Sequence, residues 1–345
     1  MTGPILKRLT DADHARWDAF VLATPGATFC HRAGWRRVIE TAFGHRTHFV
    51  FTETDGAITG ILPLTEIRSR LFGNALVSNA FAVYGGPVAT DAASLAMLVD
   101  HAEQLLANSA AGHLEFRSMD AEPRPGWLIK DGLYVTFRRA ISGDHEKNLA
   151  AIPRKQRAVV RKGIANELST RTGHDWRTLH RVYAESVRNL GTPVFPSRYF
   201  RALCAEFGDD AEILVVEDQG VPIAAVLSFY FRDEVLPYYG GGTPAARNRA
   251  GNDILYWEVM RRAADRGCRV FDFGRSKIDT GAYSFKKNWG FTPTPLNYAF
   301  KLKTGDSIPD VNPLNPKYRL MIATWKRLPL PIANLIGPFI VRNLG

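Results

Sequence analysis

The sequence predicts an α/β chain built as two similar domains, each a sheet with flanking helices. Three observations predict it. The 345 residues are 46% hydrophobic and 23% charged, enough for two ordinary cores and far from a disordered composition. Apolar runs at strand spacing alternate with runs at helical spacing. One order of elements also occurs twice: two helices, a strand, a hairpin into a long strand, a third strand, a helix and a further strand. The repeat is one of architecture and not of letters.

In the first half, 17–20 and 33–42 carry helical spacing around the turn Thr24-Pro25-Gly26. The run 48–52 is aromatic and β-branched. Asp55-Gly56 then turns the chain into a strand at 58–67, since Asp-Gly tolerates the positive φ angles of a tight hairpin. Ala75–Ser78 is a third strand, and Tyr84-Gly85-Gly86-Pro87 closes a strand end. A helix at 92–110 and strands at 113–117 and 134–140 follow.

Residues 144–166 form a cationic connecting helix, with Arg154, Lys155, Arg157, Arg161 and Lys162 inside nine positions. Residues 154, 157 and 161 share one helical face. Pro153 is tolerated if a helix begins beside it. The cluster is either a grip for phosphates or a solvated face.

The second half restarts with a strand at 168–172 and a helix at 175–189. The loop Thr192-Pro193-Val194-Phe195-Pro196 comes next, and Ser197 is placed as the cap of a helix through Phe207. Strands at 213–217 and 223–231 flank the turn Asp218-Gln219-Gly220, and a third strand spans 235–240. It ends in Tyr238-Tyr239-Gly240-Gly241-Gly242. The loop from Ala246 to Asp253 leads to a helix at 253–266, with Asn252 as the expected cap. A helix start offers free N–H groups to a phosphate, and capping alone would also satisfy them. The short strand 270–273 runs into Gly274-Arg275-Ser276-Lys277, and a cationic-aromatic run follows, Lys286-Lys287-Asn288-Trp289-Gly290-Phe291. Open α/β sheets gather binding groups at such strand ends.

Composition bounds the rest. The net charge of +10 favours an anionic partner, whether nucleic acid, a phosphorylated ligand or a membrane, or serves only solubility. Three dispersed cysteines, Cys30, Cys204 and Cys268, suit buried thiols in a reducing compartment. No secretory leader is read at the start, and no apolar run is long enough to span a bilayer. The pairs His174/His180 and His45/His48 lack a third ligand, so no metal site is expected. P-loop, dinucleotide and nucleophile-elbow motifs are missing. After residue 304 a Pro-rich connector at 308–316 leads to a cationic helix at 318–327 and an apolar tail at 328–345. The tail either packs on the fold or, with Lys317, Arg319, Lys326 and Arg327, rests on an anionic membrane surface.

The Tyr-Tyr-Gly-Gly-Gly strand end, the loop ARNRAGND, the helix LYWEVMRRAADRGC, the strand VFDFGRSK and the run FKKNWGF together resemble the FemAB-like branch of the GNAT (N-acyltransferase) superfamily. The resemblance extends to IPRKQRAVVRKGI, SVRNLGTPVFP, NPLNPKYRL and the tail LPLPIANLIGPFIVRNLG, and is closer to members associated with exosortase/PEP-CTERM and exopolysaccharide systems. It implies tandem GNAT-like domains, each a mixed, mostly antiparallel sheet flanked by helices. The boundaries would be 1–143 for the first, 144–166 for the basic helix, 167–304 for the transferase domain and 305–345 for the connector and tail. FemAB members join amino acids from aminoacyl-tRNA to peptidoglycan precursors, and other GNAT members use acyl-CoA. No cofactor is expected to stay bound, because acyl-CoA or aminoacyl-tRNA would be a co-substrate. Where the usual acetyl-CoA loop has two spaced glycines, residues 247–252 have only Gly251.

Acyl transfer needs a polarised carbonyl, a proton acceptor for the amine and a proton donor for the leaving group. On the resemblance, Tyr239, Gly240, Gly241, Arg247, Gly251, Asn252 and Asp253 would bind the donor, with the glycines leaving room for the acyl group. Asp272 is the first-choice acid or base. Its alternative is an ion pair with Arg275 or a neighbouring helix. Arg275 and Ser276 would hold a phosphate or acyl oxygen, and Lys286 would bind phosphate or steady an oxyanion. Arg154, Lys155, Arg157, Arg161, Lys287 and Trp289 would meet a phosphorylated or lipid-linked acceptor, Trp289 by stacking unless it is a core residue. The expectation is a cytoplasmic acyltransferase, peripheral on the inner membrane face, that acylates an amine, or less readily a hydroxyl, of an envelope or exopolysaccharide precursor. A non-catalytic module binding RNA or an assembly partner is the other class.

Overall fold

The computed structural model describes residues 3–70, 72–119, 123–305, 307–308 and 316–345. Its first elements are β1 (Ile5–Arg8), α1 (His14–Ala23), α2 (Trp35–Phe43), β2 (Arg46–Thr54), β3 (Ala57–Ile67), β4 (Ala75–Ser78), β5 (Val88–Ala89), α3 (Ala92–Asn108), β6 (His113–Phe116) and β7 (Leu128–Ala140). There follow α4 (His145–Ala151), α5 (Arg154–Ala165), β8 (Ser169–Gly173), α6 (Trp176–Leu190), α7 (Ser197–Phe207), β9 (Ala211–Asp218), β10 (Val221–Phe231) and β11 (Glu234–Gly242). The rest are α8 (Pro244–Asn248), α9 (Gly251–Asp265), β12 (Val270–Asp272), β13 (Ser276–Lys277), α10 (Gly281–Asn288), β14 (Pro293–Leu302), α11 (Pro316–Arg327) and α12 (Leu330–Val341).

Two compact units result. One holds Met1–Leu133, Leu296–Val311 and Arg342–Gly345, and the other Tyr134–Pro295 and Asn312–Val341. The units are therefore not the contiguous segments 1–143 and 167–304 expected from the sequence. The reason is strand pairing. Within the first unit, β6 takes the late strand β14 as its antiparallel neighbour (Ala299 opposite Phe116). Within the second, β12 takes residues 138–140 of β7 (Asp272 opposite Arg138). The expected connector at 308–316 falls mostly outside the described residues.

The first unit pairs β1-β2-β3-β4 antiparallel and β4 with β6 parallel, with α3 as the crossover. Its core joins Leu62, Leu64, Leu76, Leu98, Ala102, Leu114 and Phe116. The second unit repeats this plan: β8-β9-β10-β11 antiparallel, then β11 parallel to β12 across α9. Asp55 and Gly56, at φ 48° and 83°, and Gln219 and Gly220, at 51° and 78°, form the two tight hairpin turns, both with the positive φ that such turns need.

Local signals account for most boundaries. Asp91 caps α3, Asp175 caps α6 through the Thr178 N–H, and Thr280 caps α10 through the Tyr283 N–H. Two expected caps differ. Pro196 stands in the cap position of α7, so Ser197 is already helical. Ala250, left-handed at φ 57°, precedes α9, so Asn252 lies in the first turn and does not cap it. The expected cationic helix at 144–166 is two helices, broken before Pro153, which lacks an N–H and disfavours helical backbone in the residue before it.

Candidate active site

The second unit places its chemistry-bearing groups where β11 and β12 part. The two strands pair only at Glu234/Val270 and Val235/Phe271. Beyond that point β11 continues to Gly242 and β12 ends at Asp272. A register shift in β11 near Tyr238, opposite Leu227/Ser228, re-aims the strand there.

Asp272 is fully buried at the end of β12. The Gly274 N–H donates to its Oδ1 at 2.7 Å, and Arg138 Nη1 donates to its Oδ2 at 3.1 Å. Arg138 also pairs with Glu234. The ion pair weighed against catalysis is therefore present, but its cation comes from β7. Arg275 instead stacks its guanidinium over Tyr134, 4.5 Å from the ring centre. A closed-in, multiply bonded carboxylate organises the turn at Gly274 and is out of reach of a substrate. Arg138 gave no signal in the sequence, because it is one of two arginines inside an ordinary strand.

Lys286 lies on α10, half-buried, with Nζ donating to three successive carbonyls. These are Phe273 O at 2.7 Å, Gly274 O at 3.0 Å and Arg275 O at 3.2 Å. The rings of Phe137 and Phe273 flank it at 5.6 and 5.9 Å. Burial pushes its pKa down to about 7, with Asp272 opposing and Arg275 assisting. Helix α10 carries out this placement. It converts the cationic-aromatic run into one turn that aims Lys286 at the strand end and leaves Lys287 exposed beside Tyr283. Ser276, on β13, is buried, and its hydroxyl has no hydrogen-bond partner.

Several expected donor-binding positions are filled by the protein itself. A Cβ on Gly240 would sit 2.7 Å from the Tyr256 hydroxyl, one on Gly241 2.6 Å from Ser186, and one on Gly242 2.3 Å from Asn252. These glycines let α6 and α9 approach the strand, so they do not open a cavity for an acyl group. Gly251 likewise packs against Ile223 and Ala246. Tyr239 is buried, sharing a 2.7 Å hydrogen bond with the Tyr199 hydroxyl within a ring cluster that includes Tyr183 and Phe200. Arg247 is exposed at the end of α8.

Asp253, in the first turn of α9, accepts from Gln156 of α5, a partner with no signal in the sequence. Burial raises its pKa to about 6, with the neighbouring Trp289 and Gln156 opposing. Trp289 itself is fully buried, with its ring 6.2 Å from Phe273, so it is a core residue and cannot stack on an acceptor. Helix α5 turns Val160 and Gly163 inward, Gly163 against Ile254. Arg154, Lys155 and Arg161 are left exposed, while Arg157 leans on the Ala150 carbonyl at 3.2 Å. Among the described residues no group of three metal-ligating side chains comes together, and no helix is long and apolar enough to cross a membrane.

Residues 147–287 match the family model described as acetyltransferase (GNAT) domain. The fold is similar to FemX, with a TM-score of 0.68 at 15% identity, over 86% of this chain and 96% of that one. It is similar to the C-terminal domain of a putative lysylphosphatidylglycerol synthetase from Agrobacterium fabrum, with a TM-score of 0.54 at 13% identity, over 91% and 95% of the two chains. A tandem GNAT protein from the clavulanic acid biosynthesis pathway gives 0.54 at 12% identity, over 88% of this chain and 100% of that one. No curated protein matches the sequence. Residues 147–287 match an acetyltransferase (GNAT) domain model, and the chain shares its fold with FemX and with a tandem GNAT protein.

Proposed function

We propose that the protein transfers an acyl or aminoacyl group to an amine of a phosphorylated cell-envelope precursor, with Lys286 as the proton acceptor. The observation that carries the reading is Lys286. It is a lysine held near neutrality by burial, among the carbonyls where β12 ends, inside the matched GNAT domain. A group that titrates near the working pH accepts and returns protons most effectively. Its neutral form has a lone pair and two N–H groups, so it gives up one carbonyl contact and gains an acceptor site.

The proton accounting is simple. The substrate amine attacks the carbonyl carbon of a thioester or ribose ester, and a C–N bond forms. The amine proton passes to Lys286. When the tetrahedral intermediate collapses, the C–S or C–O bond breaks and the leaving thiol or hydroxyl takes a proton in return. The backbone edge of β11 beyond Val235, where its pairing with β12 stops, supports carbonyl polarisation, and Arg275 follows β12 closely in sequence as a group to hold an oxygen of donor or acceptor. Asp272 and Arg138 are assigned to positioning. The exposed cations Arg154, Lys155 and Arg161, with Lys287, supply the phosphate grip. The packed glycines and the acid at the start of α9 favour a donor other than a snugly held CoA pyrophosphate, and the FemX likeness of fold makes aminoacyl-tRNA the first alternative donor to test.

The test is a thermal-shift titration with acetyl-CoA, longer acyl-CoA and charged tRNA, followed by transfer of a labelled acyl group to an amine acceptor. A saturable shift of roughly 2.7 kcal/mol at hundredfold excess over Kd identifies the donor. Binding of RNA unchanged by Lys286→Ala, abolished by charge reversal at Arg154 and Lys155, and without transfer would instead identify a non-catalytic module.

A further inference from the structure

Helix α12 is packed inside out. Its small residues Ala333 and Gly337 face the second unit, and a Cβ on Gly337 would lie 3.0 Å from the Val194 backbone nitrogen. Val341 is buried too and Leu330 packs partly against Val187 and Val194, but the other large residues of its middle turns face water. Ile332, Leu335, Ile336 and Phe339 recur at helical spacing on one stripe, with Leu335 71% and Phe339 65% exposed. The stripe is not isolated. Leu320 and Met321 of α11 are exposed, as is Leu190 at the end of α6, next to Gly191, which Ile322 of α11 covers. Burial against the fold selects the opposite arrangement, with large residues in and small ones out. The small-residue face serves close docking, and the exposed apolar stripe fits a partner outside the chain.

Charge decides which partner. Residues 316–341 contain four cations and no acid, and the side chains of Lys326 and Arg327 are exposed at the end of α11. An apolar stripe in a segment whose charges are all cations fits an anionic bilayer surface, where rings and branched chains enter the headgroup boundary and the cations meet lipid phosphates. At 12 residues, α12 is about 18 Å long, which suits lying in the interface and not crossing it. We propose that α11 and α12 dock the protein on an anionic membrane surface, with Ile332, Leu335, Ile336 and Phe339 inserted and Lys326 and Arg327 on the headgroups. The inference stands apart from the transfer reaction.

The experiment is vesicle co-sedimentation of the full chain. Vesicles of equal phosphatidylglycerol and phosphatidylcholine are compared with pure phosphatidylcholine. Two variants are tested, L335Q/F339Q and K326E/R327E, with melting temperature and size-exclusion chromatography run on each. All four changes are at exposed positions, so the fold is retained. The protein should bind the anionic vesicles, and each variant should weaken that binding by about tenfold or more. High salt should weaken it as well. Vesicle binding unchanged in L335Q/F339Q would overturn the proposal, as would no binding to anionic vesicles. A protein that elutes as a dimer, loses the dimer in L335Q/F339Q and ignores vesicles would assign the stripe to a second copy and overturn it too.

Discussion

Lys286 carries the sharpest prediction, because stability and rate test the same ionisation independently. In the unfolded chain its ammonium has the ordinary pKa of 10.5, and in the fold burial lowers it to about 7. The charged form is therefore penalised in the folded state. Below about pH 7 both states carry the proton and the penalty is fully present. Between about 7 and 10.5 the unfolded chain holds a proton that the folded chain has released, so stability rises with pH across that window. Full burial would make the rise about 5 kcal/mol, and for a half-buried side chain about 3 kcal/mol is the figure to test. Urea denaturation at pH 6.5, 8 and 9.5 measures it against Lys286→Met, which has no such proton to release. The wild-type chain should gain on the variant steadily as pH rises. In the transfer assay the same group should give an ascending limb in kcat/KM near pH 7. Lys286→Arg, whose guanidinium stays protonated, should lose about 10²–10⁴-fold in rate while remaining folded. A stability difference that does not change with pH, together with an arginine variant within about threefold of wild type, would refute the reasoning. A rate that falls as pH passes 7 would instead make the ammonium an oxyanion stabiliser.

Three further outcomes are expected. Asp272→Ala, which strands the Gly274 N–H and leaves Arg138 with Glu234, should cost about 1–3 kcal/mol in urea denaturation, and Asp272→Asn about half of that. Gly163→Ala places a methyl 2.5 Å from Ile254 and should cost about 1–3 kcal/mol by melting temperature, with partial recovery when Ile254→Val is added. Asp253, with its pKa raised from 3.8 to about 6, makes the folded state the better proton binder between those values, so stability falls as pH rises through the window. Asp253→Asn should therefore gain up to about 2 kcal/mol on wild type from pH 4 to pH 7, and an equal difference at both would count against it.

Element positions were legible because their signals are local. Periodicity marked α3 and β10, and Asp55-Gly56 and Gln219-Gly220 marked the hairpins, but β7 starts six residues before the expected 134, and β1, β14 and α10 were not read from the sequence. Caps were less legible: Ser197 and Asn252 have the right chemistry but stand one or two residues inside their helices, because Pro196 and the left-handed Ala250 set the starts. The site was legible as residue types and not as roles. Lys286 lies 14 residues from Asp272, and only the turn of α10 brings its ammonium back onto the Phe273–Arg275 carbonyls.

By itself the sequence determined the α/β class, the doubled order of elements, the basic charge and the stretch that holds Asp272 and Lys286. Each of these follows from neighbours within one helix turn, one hairpin or the whole composition. Tertiary structure alone decided which charges pair, where each unit ends and which glycines are packed. Arg138 meets Asp272 across 134 residues, and β14 joins β6 across some 180. Such pairings depend on the register of distant strands and on which surfaces lose water together, and no local spacing encodes either.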